Sequence, residues 1–299
     1  MNVAAIPYQG ESLALITAIV WATAVILFRK SGETVHPIAL NLFKDILAVV
    51  LFLPTIWLFG ESLLRTAPLN DYLLLMLSGA LGIGIADTLF FHCLNRLGAS
   101  LTAIVDCLYS PFIIGLSMLW LGEVLSLLQV VGTILIISAV LTATYRRERN
   151  VISRRDLVVG LISGVMSMAF TALGIVMIKP LLNTSPLLWV TEVRLIGGVI
   201  VLLAILIFHR GRKTILSSLM ISRGRVYTVS GSVVGCYGAM VLWLAGMKFA
   251  QVSVAAALNQ TTSIFIFVLA AIFLKEKINF QRTLGIILAV GGAILVTFA

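Results

Sequence analysis

The sequence predicts an all-α integral membrane protein: ten transmembrane helices arranged as two inverted five-helix repeats. Three observations lead there. Apolar residues outweigh charged ones far beyond what a soluble chain tolerates, the apolar residues fall into ten segments of bilayer-crossing length, and the second half of the chain echoes the first.

Of the 299 residues, 60% are hydrophobic and 11% are charged, and the mean hydropathy is +1.11. An ordinary globular domain carries about a quarter charged residues, and no soluble fold of this length could bury so much apolar surface. The net charge of +9 would suit nucleic acid if Lys and Arg formed a face or a tail. They stand instead in short connections between apolar segments, so no nucleic-acid partner is expected. The cysteines Cys93, Cys107 and Cys236 all lie inside apolar segments, with neither disulfide-framework nor zinc-site spacing. No metal and no cofactor is expected.

About 20 helical residues cross a bilayer core. The segments of that kind are 12–29, 38–59, 71–95, 99–121, 126–145, 157–179, 186–208, 226–248, 252–274 and 281–298. The first is preceded by Glu11 and followed by Arg29 and Lys30, so it reads as a retained helix rather than a cleavable signal. Tight connections at Leu97-Gly98, Gly122-Glu123-Val124 and Ala250-Gln251 force neighbouring helices to run antiparallel. The longer connections, 146–156 and 209–225, leave no room for a separate soluble domain within the sequence.

Basic residues orient the chain. The connections after odd-numbered segments hold 16 Lys and Arg, whereas those after even-numbered segments, with the tails, hold only Arg65, Lys179 and Lys248. Positive connections stay in the cytoplasm, so both termini are expected on the non-cytoplasmic side of an inner (plasma) membrane.

The repeat joins residues 1–145 to residues 146–299. A shift of 153 lays Leu121-Gly122-Glu123 on Leu274-Lys275-Glu276, Gly82 on Gly235, Ser100 on Ser253, Ser110 on Ser263, Phe112 on Phe265 and Gly132 on Gly285. A shift of 149 pairs Lys30 with Lys179 and Pro37 with Pro186. Five crossings is an odd number, so the second copy starts on the opposite face. Many secondary transporters have this architecture, and their two halves exchange conformations during transport.

Several of these phrases resemble the EamA repeat of the drug/metabolite transporter superfamily. The likeness lies in Leu-Gly-Glu at a helix end followed by Gln129, Gly132 and an Ile/Leu run, and in its echo at Leu274, Glu276, Gly285 and Gly291-Gly292. Pro37, Pro186, Trp21 and Lys30 also fit. The chain departs from the pattern at Lys275, where Gly is usual, and at Lys44-Asp45, where a lone Arg is common; Arg194 keeps that Arg. The resemblance implies secondary transport of small metabolites through a cavity between the halves.

Ionisable groups at membrane depth are costly and therefore functional suspects. Asp87 lies ten residues before Leu97 and Asp106 nine after it, which puts both roughly 14 Å below one turn. Two carboxylates at one level in a low dielectric do not both ionise freely, so the pair is read as proton-coupling, against the alternative of helix-locking hydrogen bonds. Trp21 and its repeat mate Phe170, with Tyr109, Asn259 and Thr262, complete an expected substrate layer of aromatic and polar groups, which suits an ammonium or aromatic ligand. Asp45 and Arg194, at equivalent depths, are expected to form a structural ion pair, with Lys44 snorkelling toward the interface. His92 reads as a packing histidine, and Glu123 and Glu276 as helix-end caps. Gly79, Gly82 and Ala86, then Gly231, Gly235 and Gly238, then Gly285, Ala289 and Gly292, form small-residue ridges for close helix crossings.

There is no phosphate-cradling loop, paired-histidine zinc helix or nucleophile elbow, so no enzyme and no catalytic residue is expected. The expected function is secondary active transport of a small zwitterionic or cationic metabolite, amino-acid-like or amine-like, with proton exchange. An uncoupled facilitator or exporter of metabolites or drugs, or a membrane scaffold that transports nothing, stays open.

Overall fold

A computed structural model describes residues 9–121, 126–145, 152–220, 222–249, 258–259, 261–277 and 279–298. The Gly122–Val124 and Ala250–Gln251 connections lie outside the described residues, as does Gln260. Every regular element among the described residues is helical.

Helix α1 is Gln9–Ser31 and α2 is Pro37–Leu58. Pro37 opens α2 at a position that needs no backbone N–H, and the His36 imidazole accepts from Ile38 N as its cap. Helix α3, Leu69–Gly79, runs through a π-helical stretch, Ala80–Ile85, into α4, Ala86–Leu97. Next come α5, Ala99–Asp106, α6, Tyr109–Leu121, and α7, Leu127–Tyr145. The second half holds α8, Arg154–Val176, a short α9, Lys179–Thr184, and α10, Leu187–Phe208. The 209–225 connection contains α11, Arg212–Ser217. Helix α12, Ser222–Gly231, continues through a second π-helical stretch, Ser232–Ala239, into α13, Met240–Phe249. The last two are α14, Thr262–Phe273, and α15, Phe280–Phe298.

Among the described residues, six helical segments are long and apolar enough to cross a bilayer: Gly10–Ser31, Pro37–Leu58, Leu69–Leu97, Arg154–Val176, Leu187–Phe208 and Gly224–Trp243. Four shorter apolar helices, Ala99–Ile113, Val130–Thr142, Thr262–Phe273 and Phe280–Leu295, occupy the other expected positions. Apolar side chains such as Ile19, Leu53, Ile137, Ile162, Ile207 and Ile287 are exposed on the outside, where lipid is their natural solvent. The chain is a multi-pass membrane protein.

The expected single helix over 99–121 is broken at Cys107–Leu108. Pro111 explains the break: it has no N–H to offer, and its ring crowds the carbonyl four residues back, that of Cys107. The two π-helical stretches, 80–85 and 232–239, fall on one another under the 153-residue shift, as Gly82 does on Gly235.

Contacts between the halves come in pairs that exchange when each helix is replaced by its repeat equivalent, by the 149-residue shift for α1 and α2 and by the 153-residue shift for the later helices. Helix α1 packs on the α12–α13 stretch as α8 packs on α3–α4; α1 meets α14 as α8 meets α5 and α6; α2 meets the second π stretch as α10 meets the first. Helices α2 and α10, and α7 and α15, each pack on their own counterpart, and α14, the counterpart of α6, packs on α5. Such reciprocity belongs to an isologous interface built about a two-fold axis. The small-residue ridges fall at these crossings. A Cβ on Gly79 would overlap the Arg194 backbone, and one on Gly292 would reach the Gly132 carbonyl at 2.6 Å.

One polar clasp ties the halves at a helix end. Glu276 Oε1 accepts from Ala99 N at 2.7 Å and Oε2 from Ser100 N at 3.1 Å, and Arg282 Nη1 stands 3.7 Å from Oε2. A carboxylate here satisfies N–H groups that have no partner inside α5 and complements the positive end of its dipole. Lys275, with φ +53°, makes the sharp turn that aims Glu276 at α5, and Glu276 N reaches back to the Ala270 carbonyl at 3.2 Å. Glycine adopts this conformation without strain, which gives a physical reason for the usual Gly at that place.

Candidate functional site

The polar layer starts from α2. Asn41, Lys44 and Asp45 point inward and are 0%, 2% and 0% exposed. Asn41 Nδ2 donates to the Ile83 and Gly84 carbonyls, each at 3.0 Å, and to Thr88 Oγ1 at 3.0 Å. It thereby binds carbonyls at the end of the first π stretch, where the regular i→i−4 ladder is lost. Gly84 and Thr88 sit either side of Asp87, so Asn41 fixes the register of α4 against α2.

Lys44 Nζ lies 2.5 Å from Asp45 Oδ1 and 2.7 Å from Asp87 Oδ2. It is a buried cation shared by two carboxylates, and it does not snorkel. Cys236, in the second π stretch, closes the arrangement at 3.9 Å from Lys44 Nζ and 3.7 Å from Asp45 Oδ1. Asp87 is more open than either α2 partner, at 28%.

Asp45 therefore takes Lys44 as its cationic partner, not Arg194. Arg194 Nε donates to Ser78 Oγ at 3.1 Å, and Ser78 Oγ donates to the Gly174 carbonyl at 2.6 Å. The sequence-expected Asp45–Arg194 pair fails for a local reason. Lys44 is adjacent on the same helix and reaches Asp45 first, while Arg194 lies where α10 crosses α3, beside Gly79.

Asp106 ends α5 at the helix break and interacts electrostatically with Asp87. Tyr109 opens α6 just beyond the break and interacts with both Arg194 and Asp106. Thr262, 7% exposed, opens α14. The adjacent Ser263 Oγ lies 3.5 Å from Cys107 Sγ, so the break in the first half abuts the start of α14 in the second. Asn259 precedes that start and is half-buried; its Oδ1 has no hydrogen-bond partner among the described residues. Phe170, half-buried on α8, lies with its carbonyl against Gly82 of the first π stretch. Trp21 is half-buried on α1 and meets Phe28 edge to face at 6.5 Å, at the margin of the largest apolar cluster.

The structure thus groups Asp87, Asp106 and Tyr109 with Arg194, and places Thr262 beside the same break. Trp21 and Phe170 stand on the flanking helices. Sequence reasoning missed the sharing of Lys44 and the anchoring roles of Asn41, Ser78 and Cys236. The available signal was Lys44-Asp45 itself, a cation and an anion seven and eight residues into an apolar helix. Glu192, on α10, is fully buried, and neither of its oxygens has a partner among the described residues. No group of three or more His, Cys, Asp or Glu side chains among the described residues could hold a metal ion.

At one end of the bundle, the His36 and His92 rings stack edge to face at 6.0 Å. His36 N donates to Ser218 Oγ at 3.0 Å, which ties the 209–225 connection to the start of α2. Burial and the neighbouring His209 hold the His36 imidazole below its ordinary value of 6.5.

Comparison with known proteins returns one family. The profile of the EamA-like transporter family matches twice, over residues 8–145 and 158–298. An uncharacterized transporter of Archaeoglobus fulgidus is 27% identical over 279 residues, covering 92% of each chain. An uncharacterized transporter of Methanothermobacter thermautotrophicus is 28% identical over 301 residues, covering 95% of this chain and 85% of the relative. A protein crystal structure superposes with a TM-score of 0.59 over 96% of each chain at 17% identity, a likeness of fold alone.

Proposed function

The chain belongs to the EamA-like transporter family, and on that premise we propose that it is a secondary active transporter of a small zwitterionic or cationic metabolite. In this reading ten helices cross the inner membrane as two inverted repeats, 1–145 and 146–299, with both termini on the non-cytoplasmic face. The halves rock about a midplane site built from Trp21, Asp87, Asp106, Tyr109, Phe170, Asn259 and Thr262, and protons exchange at Asp87 and Asp106.

The observation that carries the reading is the charged layer at the junction of the halves. Lys44 and Arg194 supply two cations against the carboxylates of Asp45, Asp87 and Asp106, and the layer is flanked by a π stretch and a broken helix. Interrupted helices at a repeat interface are where such transporters bind cargo, and groups this expensive to bury are retained for function. The second half carries Met240 and Asn259 at the positions equivalent to Asp87 and Asp106, so any proton step belongs to one half.

The test is flux. Metabolites that raise the melting temperature of the purified protein are assayed for uptake into proteoliposomes with and without a proton gradient. Gradient-driven uptake in wild type that is lost in Asp87→Asn and Asp106→Asn supports the reading. Uptake indifferent to the gradient in all three proteins assigns an uncoupled facilitator instead.

A further inference from the structure

Lys44 has three N–H donors and no acceptor. Two are committed, to Asp45 Oδ1 at 2.5 Å and Asp87 Oδ2 at 2.7 Å, and a third partner among the described residues is the weak Cys236 sulfur at 3.9 Å. Asp45 Oδ2 is buried and has no hydrogen-bond partner among the described residues. A second seat for the ammonium therefore stands empty beside the one it uses. The two carboxylates also differ in access: Asp45 is sealed, whereas Asp87 is 28% exposed.

We infer that Lys44 is a resident cation that the ammonium group of a substrate displaces from Asp87, and that this exchange sets the selectivity of the site. On displacement, Lys44 turns onto both oxygens of Asp45, and the buried pair becomes self-contained. The incoming ammonium takes the exposed carboxylate of Asp87. Three carboxyl groups, Asp45, Asp87 and Asp106, stand in this layer with the two cations Lys44 and Arg194, so a ligand ammonium that takes over Asp87 replaces one cationic partner by another. Arg194 is tethered by its Nε hydrogen bond to Ser78, and its charge, which also acts on Asp87, stays in place when Lys44 turns away. A neutral or anionic ligand gains nothing from Asp87 and leaves Lys44 where it is. The inference rests on the transport reading and names the class of its cargo: a metabolite bearing an ammonium group.

The experiment measures thermal unfolding of the purified full chain in micelles, titrated with ethylammonium chloride and tetramethylammonium chloride against potassium chloride at equal ionic strength. The double variant Lys44→Gln/Asp45→Asn removes the buried pair together, which avoids stranding one charge. It should bind the organic ammonium about tenfold more tightly than wild type, because the internal competitor is gone. Asp45→Asn alone leaves Lys44 no seat but Asp87 and should weaken binding about tenfold. Asp87→Asn should abolish it. A double variant that binds no tighter than wild type, or an Asp87→Asn protein that keeps its response, overturns the inference. Proteoliposome flux separates this failure from that of the transport reading. Flux confined to metabolites lacking an ammonium group defeats the displacement model alone, and absence of flux for every thermally stabilising metabolite defeats the transport reading.

Discussion

Replacing Glu276 by Gln should loosen the clasp between the halves, by an amount that follows from its geometry. The carboxylate takes two N–H groups at the start of α5, at 2.7 Å and 3.1 Å, and has Arg282 beside it at 3.7 Å. A hydrogen bond to a charged partner contributes about 1.5–3 kcal/mol, and a charge at a helix end about 0.3–1 kcal/mol. Gln keeps one acceptor but turns an NH2 group toward the other N–H, so it loses one bond outright and the charge on both. The loss is about 2–3 kcal/mol, or roughly 30- to 150-fold in the local opening equilibrium at 1.4 kcal/mol per factor of ten. Hydrogen exchange at the Ala99 and Ser100 amides, followed by mass spectrometry in micelles, reads this directly. Exchange there should accelerate by that factor while peptides from the middle of α7 hold their rates. An acceleration below threefold would refute the reasoning, because these amides would then owe their protection to something other than Glu276.

Lys275→Gly should act in the opposite direction: a non-glycine residue at φ +53° is strained by about 1 kcal/mol, and the variant should melt higher and exchange more slowly at Ala99. Gly79→Ala should destabilise by about 1–3 kcal/mol, because its methyl would meet the Arg194 backbone rather than a side chain that could move aside; the shift in melting temperature measures it. His36 carries a pH dependence whose sign is fixed. Its imidazole is held below 6.5 and accepts from Ile38 N in the neutral form, so the unfolded chain binds more protons and stability falls as pH drops below about 6.5. The groups facing His36 are the His92 ring, His209 and Ser218 Oγ, with Glu33 and Asn95 at the same end of the bundle. His36→Asn keeps a good N-cap without the titration and should flatten the melting profile between pH 5.5 and 7.5, whereas an unchanged slope would assign it to other groups.

The sequence made the helical segments and the internal echo legible because both are patterns in hydropathy and spacing, which survive any detail of packing. It also singled out Asp87 and Asp106 as candidates, since a carboxylate in an apolar stretch stands out from its neighbours. The helix break at Cys107–Leu108 was signalled by Pro111, yet a proline within an apolar run reads equally as a tolerated kink. The Asp45 pairing was misread because depth along a helix is available from residue counts and azimuth is not. Asp45 and Arg194 occupy repeat-equivalent positions, 149 residues apart, but only packing reveals that Lys44 turns inward between Asp45 and Asp87. Lys275 looked like a departure from a pattern, and its positive φ shows what the pattern is for.

Alternating access by rocking of the repeats requires the two halves to be oppositely oriented, and Lys30 and Lys179 test this most directly because they are repeat-equivalent. Each is changed to Cys in a protein whose Cys93, Cys107 and Cys236 are replaced by Ser, then exposed to a membrane-impermeant maleimide in intact cells and in inside-out vesicles. Opposed repeats require Lys179→Cys to label in intact cells and Lys30→Cys only in the vesicles. Labelling of both from the same face would contradict the inverted arrangement and, with it, the exchange of conformations on which the transport mechanism depends.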